Sequence, residues 1–279
     1  MKNKRKKLIK KIILSVVGFI FSIIVSVPFL YMLFASIQPS KYDIINGYFF
    51  PRALDFKNYI EAIDYIDFFS LLSNTITIVV FNLVFSIFST VLVAYGFARF
   101  KGKNRKLLFY IMLSTMMLPW VVTLVPSYVI FDKLGWTNSF LPLIIPALGS
   151  NAYFVFMLRQ FMITIPKELD EAAKIDGASS FRILISIIVP NIKPALATML
   201  IMQFISLWSD YIGPSLYLNS PSLHTLAVGL QYFKPSSGGS IPWDLVMASC
   251  VMFSLPMIII MTTCQNAYTR GIVSSGVKG

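Results

Sequence analysis

The densest run of carboxylate side chains is Lys167-Glu168-Leu169-Asp170-Glu171-Ala172-Ala173-Lys174-Ile175-Asp176-Gly177. Carboxylates at this density can hold a metal, move a proton or recognise a partner. The first two need company that the sequence does not supply. Its single histidine, His224, lies far along the chain, and no HExxH or CxxC occurs, which argues against a metal centre. Gly102-Lys103 lacks both the upstream glycine spacing and the following Ser or Thr of a phosphate-binding loop. No Ser or Asp is paired with a base, so neither catalysis nor a cofactor is expected. Recognition is left.

The elements that must present this run follow from composition. Of 279 residues, 56% are hydrophobic and 13% charged, against roughly 45–50% and about 25% in soluble domains. With 24 Phe and 13 Tyr, disorder is excluded as well. A formal charge of +12 would suggest nucleic acid in a soluble protein, but here it bears on membrane orientation, and no nucleic-acid partner is expected. Stretches that can cross about 30 Å of hydrocarbon run over residues 12–37, 68–98, 107–131, 140–158, 194–212 and 245–263. The expected fold is all-α, a polytopic membrane protein with six transmembrane helices and membrane lipid as its main solvent. A cleaved signal peptide is the alternative for the first stretch, which is longer than the usual apolar core of about 7–15 residues.

Lys and Arg are unevenly shared among the connections. Seven precede the first span, five lie in 99–106, five in 159–193 and two in the tail, 19 of the 24 in all. The positive-inside rule therefore predicts both termini in the cytoplasm. External segments would be 38–67, 132–139 and 213–244. The domain reading is a basic N-terminus over 1–11, a permease domain over 12–264 and a cytoplasmic tail over 265–279. Cys250 and Cys264, 14 positions apart in or beside one helix, are about 21 Å apart along its axis and read as packing residues.

Within 165–190 the pattern is a short helix, a break and a re-entry. Pro166 suits a first turn, the acids suit the positive end of the helix dipole, and Gly177 suits a left-handed position at the C-terminus. Leu169, Ala172, Ala173 and Asp176 share one narrow face. Such a face fits a protein groove better than a lipid surface, the competing reading, because it carries few bulky apolar groups. Pro119 and Pro126 are expected to kink the third span. Asp210 is either hydrated at the interface or functional. Pro214, Pro221, Pro235, Pro242 and the Ser236–Ser240 run make 213–244 a loop, with a short turn over 226–230. Asn151, Tyr153, Gln203, Trp208 and Tyr211 could face a solute, although aromatics at such positions also serve as interfacial anchors.

These residues carry a resemblance. Glu171-Ala172-Ala173, Asp176-Gly177-Ala178, Ile187 and Pro190 resemble the EAA loop of binding-protein-dependent ABC importer permeases. Asn74-Thr75, Ala94-Tyr95-Gly96-Phe97-Ala98-Arg99, Met117-Leu118-Pro119, Val125-Pro126-Ser127-Tyr128 and Gly276-Val277-Lys278-Gly279 resemble carbohydrate permeases of the maltose-transporter type. The likeness extends from the first span to the last residue. It implies the type I importer permease fold in a bacterial cytoplasmic membrane. It also implies a second, homologous permease subunit, a cytoplasmic ABC ATPase dimer and an extracytoplasmic solute-binding protein.

By this resemblance Glu171, Ala172, Ala173, Asp176, Gly177 and Ala178 would couple to the ATPase. Ser275, Gly276 and Lys278 would reach its interface, the alternative being a flexible tail. Gln231, Tyr232, Ser237 and Gly238 would contact the binding protein, the alternative being a plain connector. The expected cargo is a sugar or oligosaccharide, with glycerol phosphate or a polyol as neighbours. A stand-alone channel or ion-coupled carrier is the reading from another class, and few charges lie in the spans to serve one.

Overall fold

The computed structural model describes residues 2–39, 41–234 and 240–276, and among them there are helices, turns and loops but no strand. The chain divides into two units, residues 1–68 with 230–255, and residues 69–229 with 256–279.

In the first unit, α1 (Lys2–Ser36) exposes its large apolar side chains from Ile9 to Leu33. Leucine, isoleucine and phenylalanine exposed from Ile9 to Leu33, within the 28-residue apolar stretch Ile9–Ser36, match a segment solvated by hydrocarbon. The helix ends in a buried polar knot. The Asn58 amide, on α2 (Lys57–Tyr65), donates to the carbonyls of Ser36 at 3.0 Å and Gln38 at 2.8 Å. The Gln38 amide reaches the carbonyls of Tyr48 and Phe50, and the Ser36 and Tyr59 hydroxyls meet at 2.7 Å. The segment after the first span is thus a folded cap, whereas composition suggests only a connection. Tyr65 stacks on Phe233 with ring centroids 5.0 Å apart.

In the second unit, α3 (Phe68–Arg99) is an unbroken helix. The stretch expected as one third span is α4 (Arg105–Ser114), a 3₁₀ turn and α5 (Trp120–Lys133), bent by 99° at the break. Proline explains the position. Leu118 is extended (ψ 117°), as the residue before proline prefers, and Pro119 occupies the N-cap of α5, where its missing N–H costs nothing. Pro126 lies inside α5. The fourth stretch is candidate span Leu141–Thr164, which ends in α6 (Ala152–Thr164). After α7 (Glu168–Ile175), α8 (Ser180–Ile183) runs through a π turn to Asn191, and α9 (Lys193–Trp208) follows at an 80° bend. Among the described residues four helices are long and apolar enough to cross a membrane, and up to six spans result if each bent pair counts as one. The fifth therefore ends at Trp208 and not at residue 212, and the sixth is part of α11, preceded by the short α10 (Ile212–Tyr217) and running Trp243–Gly276.

The core of this unit gathers Ala94, Tyr95 and Ala98 of α3, Val155, Leu158 and Met162 of α6, Ile183 of α8, Leu184 and Ile188 of the π turn that follows it, and Ala195 and Met199 of α9. Alanines every fourth residue on α3 let the helices approach closely, the usual solution where the surrounding solvent is as apolar as the side chains. This core underlies α7, because Ala173 and Ala178 pack against it.

Candidate coupling site

α7 starts with Glu168, Asp170 and Glu171 in its first turn and carries Lys174 in its last, a charge order that complements its dipole. It stops by a bonded cap. The Gly177 N–H donates to the Lys174 carbonyl at 3.0 Å and the Ala178 N–H to the Ala173 carbonyl at 2.8 Å, the paired bonds of a Schellman motif. Gly177 takes φ +80°, where a side chain is strained, and the space around its absent Cβ is open. The left-handed glycine reverses the chain so that Ser179 can open α8, its hydroxyl accepting from the Arg182 N–H at 3.3 Å.

The faces of α7 differ from the expected stripe. Leu169, Glu171, Ala172, Lys174, Ile175, Asp176 and Gly177 are exposed, Ile175 at 87%. Ala173 and Ala178 turn to the core. The open face is Leu169, Ala172, Ile175 and Asp176, and Ala173 leaves it because side chains on consecutive helix positions diverge by about 100°. A buried ion pair fixes this orientation. Arg99 Nε lies 2.8 Å from Asp170 Oδ2, with the two side chains only 6% and 10% exposed, and Arg99 Nη2 donates to the Ile165 carbonyl at 2.9 Å. The last residue of α3 thus holds α7 and the turn before it. Neither residue was named as a site by sequence reasoning. The signal was a lone arginine closing an apolar helix of 32 residues, which requires a counter-charge.

The other candidates fall in separate places. Asn151 caps α6, its side-chain oxygen accepting from the Tyr153 N–H at 2.9 Å, and the half-exposed Tyr153 ring meets Phe154 edge-on. Gln203 on α9 donates to Asn82 Oδ1 on α3 at 3.0 Å, and Asn82 Nδ2 donates to the Leu143 carbonyl at 2.7 Å. Trp208 is buried, 3% exposed, and stacks on Phe204; Tyr211 is partly exposed. Asp210 lies two residues past α9 and accepts from the Gly213 N–H at 3.1 Å. Asn82 was missed, although an amide in mid-span needs a partner in hydrocarbon.

Gln231 is exposed and Tyr232 half-buried in a 3₁₀ turn, where burial pushes the Tyr232 phenol above its ordinary value. Ser237 and Gly238 lie outside the described residues, as does Lys278; the backbone of Ser275 and Gly276 belongs to the end of α11. The segment before Gln231 is tightly held. Asn74 donates to the carbonyls of Ser222 at 2.8 Å and His224 at 3.0 Å, and the Thr75 hydroxyl accepts from the Leu226 N–H at 2.9 Å. Asn138 accepts from the N–H groups of Asn219 and Ser220. At Gly229 a Cβ would collide with the end of the Leu71 side chain, so a larger residue there requires Leu71 to move.

A buried strut under an exposed, glycine-capped helix can pass force between that helix and a span, and offers no reacting group. The model of the family described as binding-protein-dependent transport system inner membrane component matches residues 90–274. The chain is 31% identical over 271 residues to the arabinooligosaccharides transport system permease protein AraQ of Halalkalibacterium halodurans, covering 94% of this chain and 95% of that one. It is 31% identical over 205 residues to the sn-glycerol-3-phosphate transport system permease protein UgpE of Rhizobium meliloti, covering 74% and 72%. Among solved structures, one chain of a bacterial ABC transporter involved in the import of the acidic polysaccharide alginate superposes with a TM-score of 0.84 at 26% identity, over 94% of this chain and 97% of that one. The chain belongs to the inner membrane components of binding-protein-dependent transport systems, the membrane permease subunits of ABC transporters.

Proposed function

We propose that this permease imports a sugar or oligosaccharide, pairing with a second related permease to form the pathway while a separate ATPase dimer docks on α7. The geometry of α7 carries the reading. Its face of Leu169, Ala172, Ile175 and Asp176 is exposed, its Gly177 end is open, and its other side is tied to α3 through Asp170 and Arg99. A partner seated on that face would move α3 with α7 as one body. Glu171, Ala172, Asp176 and Gly177 meet the partner directly, while Ala173 and Ala178 transmit its movement to the core.

Sugar import is favoured by the relative named for arabinooligosaccharide transport and the structural neighbour involved in alginate import. The relative named for sn-glycerol-3-phosphate transport makes that compound the second candidate. On the positive-inside count the α7 end is cytoplasmic, and the 213–244 loop, with Gln231, Tyr232, Ser237 and Gly238, faces the solute-binding protein. Ser275, Gly276 and Lys278 lie toward the ATPase interface.

The test is reconstitution with the partner permease, ATPase and binding protein, assaying ATP hydrolysis and uptake together. Wild type should hydrolyse ATP in response to loaded binding protein and take up labelled arabinooligosaccharide in preference to glycerol 3-phosphate. Gly177→Trp should insert normally but lose uptake. Full uptake by that variant refutes the docking face, and preference for glycerol 3-phosphate replaces the substrate.

A further inference from the structure

We infer that the α3–α4 corner holds an anionic phospholipid, its phosphate among Arg105, Lys106 and Arg159 and one acyl chain along a neighbouring apolar groove. Two cavities adjoin there. One, of about 180 Å³, is lined by those three cations with Phe109 and Tyr110. The other, of about 310 Å³, is lined by Val93, Phe100 and Leu108 among others. Phe97 and Arg105 line both, so a charged head in the first and an apolar tail in the second would lie side by side.

The cations are positioned but not neutralised. Arg105 Nη1 donates to the Phe100 carbonyl at 2.7 Å; Arg159 Nε donates to the Phe97 carbonyl at 3.2 Å, with its guanidinium 4.3 Å from the Phe109 ring centre. The ion pairs among the described residues are Arg52 with Asp43 and Arg99 with Asp170, so no carboxylate answers Arg105, Lys106 or Arg159. Two guanidiniums anchored by one edge keep other N–H groups for an oxyanion, and phosphate suits that fork. The supply is local. An end of the bundle rich in Lys and Arg is retained at the cytoplasmic leaflet, where anionic headgroups are concentrated. Exposed Leu107, Leu108 and Tyr110 on α4 leave the corner open to the bilayer.

The inference rests on these residues and not on the substrate or docking assignments above. Native mass spectrometry of the delipidated full complex tests it, by titration with phosphatidylglycerol, with phosphatidylcholine of the same acyl chains and with inorganic phosphate. Phosphatidylglycerol should be retained over phosphatidylcholine by about tenfold or more, because each basic residue near an anionic headgroup adds to the attraction. Inorganic phosphate should not displace it, and Arg105→Gln with Lys106→Gln should bring the two lipids level. Equal retention by wild type, displacement by phosphate or an unchanged preference in the double variant each overturns the proposal. Should that variant fail to assemble, photoactivatable phosphatidylglycerol on wild type decides: adducts within 93–110 or beside Arg159 support the site, and adducts elsewhere overturn it.

Discussion

α7 and the 213–229 segment hang from opposite ends of α3 and are fastened by different chemistry. At the Arg99 end, one buried ion pair and two alanine contacts hold a helix of eight residues whose other side is bare. At the Asn74 end, neutral amide and hydroxyl groups form several bonds to the backbone carbonyls and N–H groups of a loop. A charged strut has a long electrostatic reach and little salt sensitivity once buried, and a single one leaves the helix face free. Many neutral bonds fix every turn of the loop and leave little of its backbone unsatisfied. The first arrangement suits an element that is pushed as a unit. The second suits a surface that must keep its shape.

The strongest way to break this contrast is to orphan the strut. In Asp170→Ala the Arg99 guanidinium stays buried without its counter-charge, a loss of about 3–5 kcal/mol when one partner of a buried pair is removed. Thermal unfolding in detergent should show a large drop in Tm, and ATPase docking should fail with it. A wild-type Tm would mean that α7 is held by its alanines alone. Arg99→Leu with Asp170→Leu supplies the sharper version: stability should largely return, because neither charge is left buried.

Next in size is Asn74→Ala, which frees the Ser222 and His224 carbonyls from their shared donor. An orphaned buried acceptor costs about 1–3 kcal/mol, and this loop is partly exposed, so the lower half of that range is expected. Hydrogen exchange should rise over 219–226 and stay unchanged over 168–178. A rise at both ends would show that α3 transmits disorder along its length, and the two regions would then not be independent.

How far these two regions were legible beforehand differs for a physical reason. Helices and spans were readable because apolar runs and prolines act locally; Pro119 sets its own break, and Gly177 sets its own turn. Resemblance to a known loop pointed at 171–178 as a unit. Which of those residues turn inward was not readable, since it depends on Arg99, 71 positions before Asp170. Nor was the anchoring of the 213–229 loop, where Asn74, Thr75 and Asn138 act across 81 to 151 positions. Side-chain bonds at such separations leave no periodicity in the sequence. Asn82 could have been suspected from its burial in hydrocarbon, but not its two partners.

Gly177 offers a smaller and cleaner separation of structure from function. At φ +80° an alanine pays for a left-handed conformation, about 1–2 kcal/mol, yet touches nothing. Asparagine tolerates that region better. Gly177→Ala should therefore lower Tm more than Gly177→Asn, while Asn, the bulkier side chain, should impair ATPase coupling more. If both readouts follow the backbone, the open space around Gly177 is not a docking surface.

The smallest expected effect lies midway along the helix that carries both regions. Asn82 joins the Leu143 carbonyl to Gln203, so Asn82→Leu removes two polar contacts from within the bundle. Such bonds average about 0.6 kcal/mol in membrane proteins, with roughly 1.7 as the upper end, because the unfolded chain in lipid also finds partners. The expected outcome is a Tm loss well below that of Asp170→Ala, with normal ATPase docking and normal exchange over 219–226. Gln203 is also a candidate on the solute pathway, and this variant releases its amide without deleting it. Substrate preference that shifts in Asn82→Leu while stability barely changes would mean that the pair orients Gln203 toward the solute. Unchanged preference would assign the pair to packing alone, leaving α3 as a post whose two ends work and whose middle only holds.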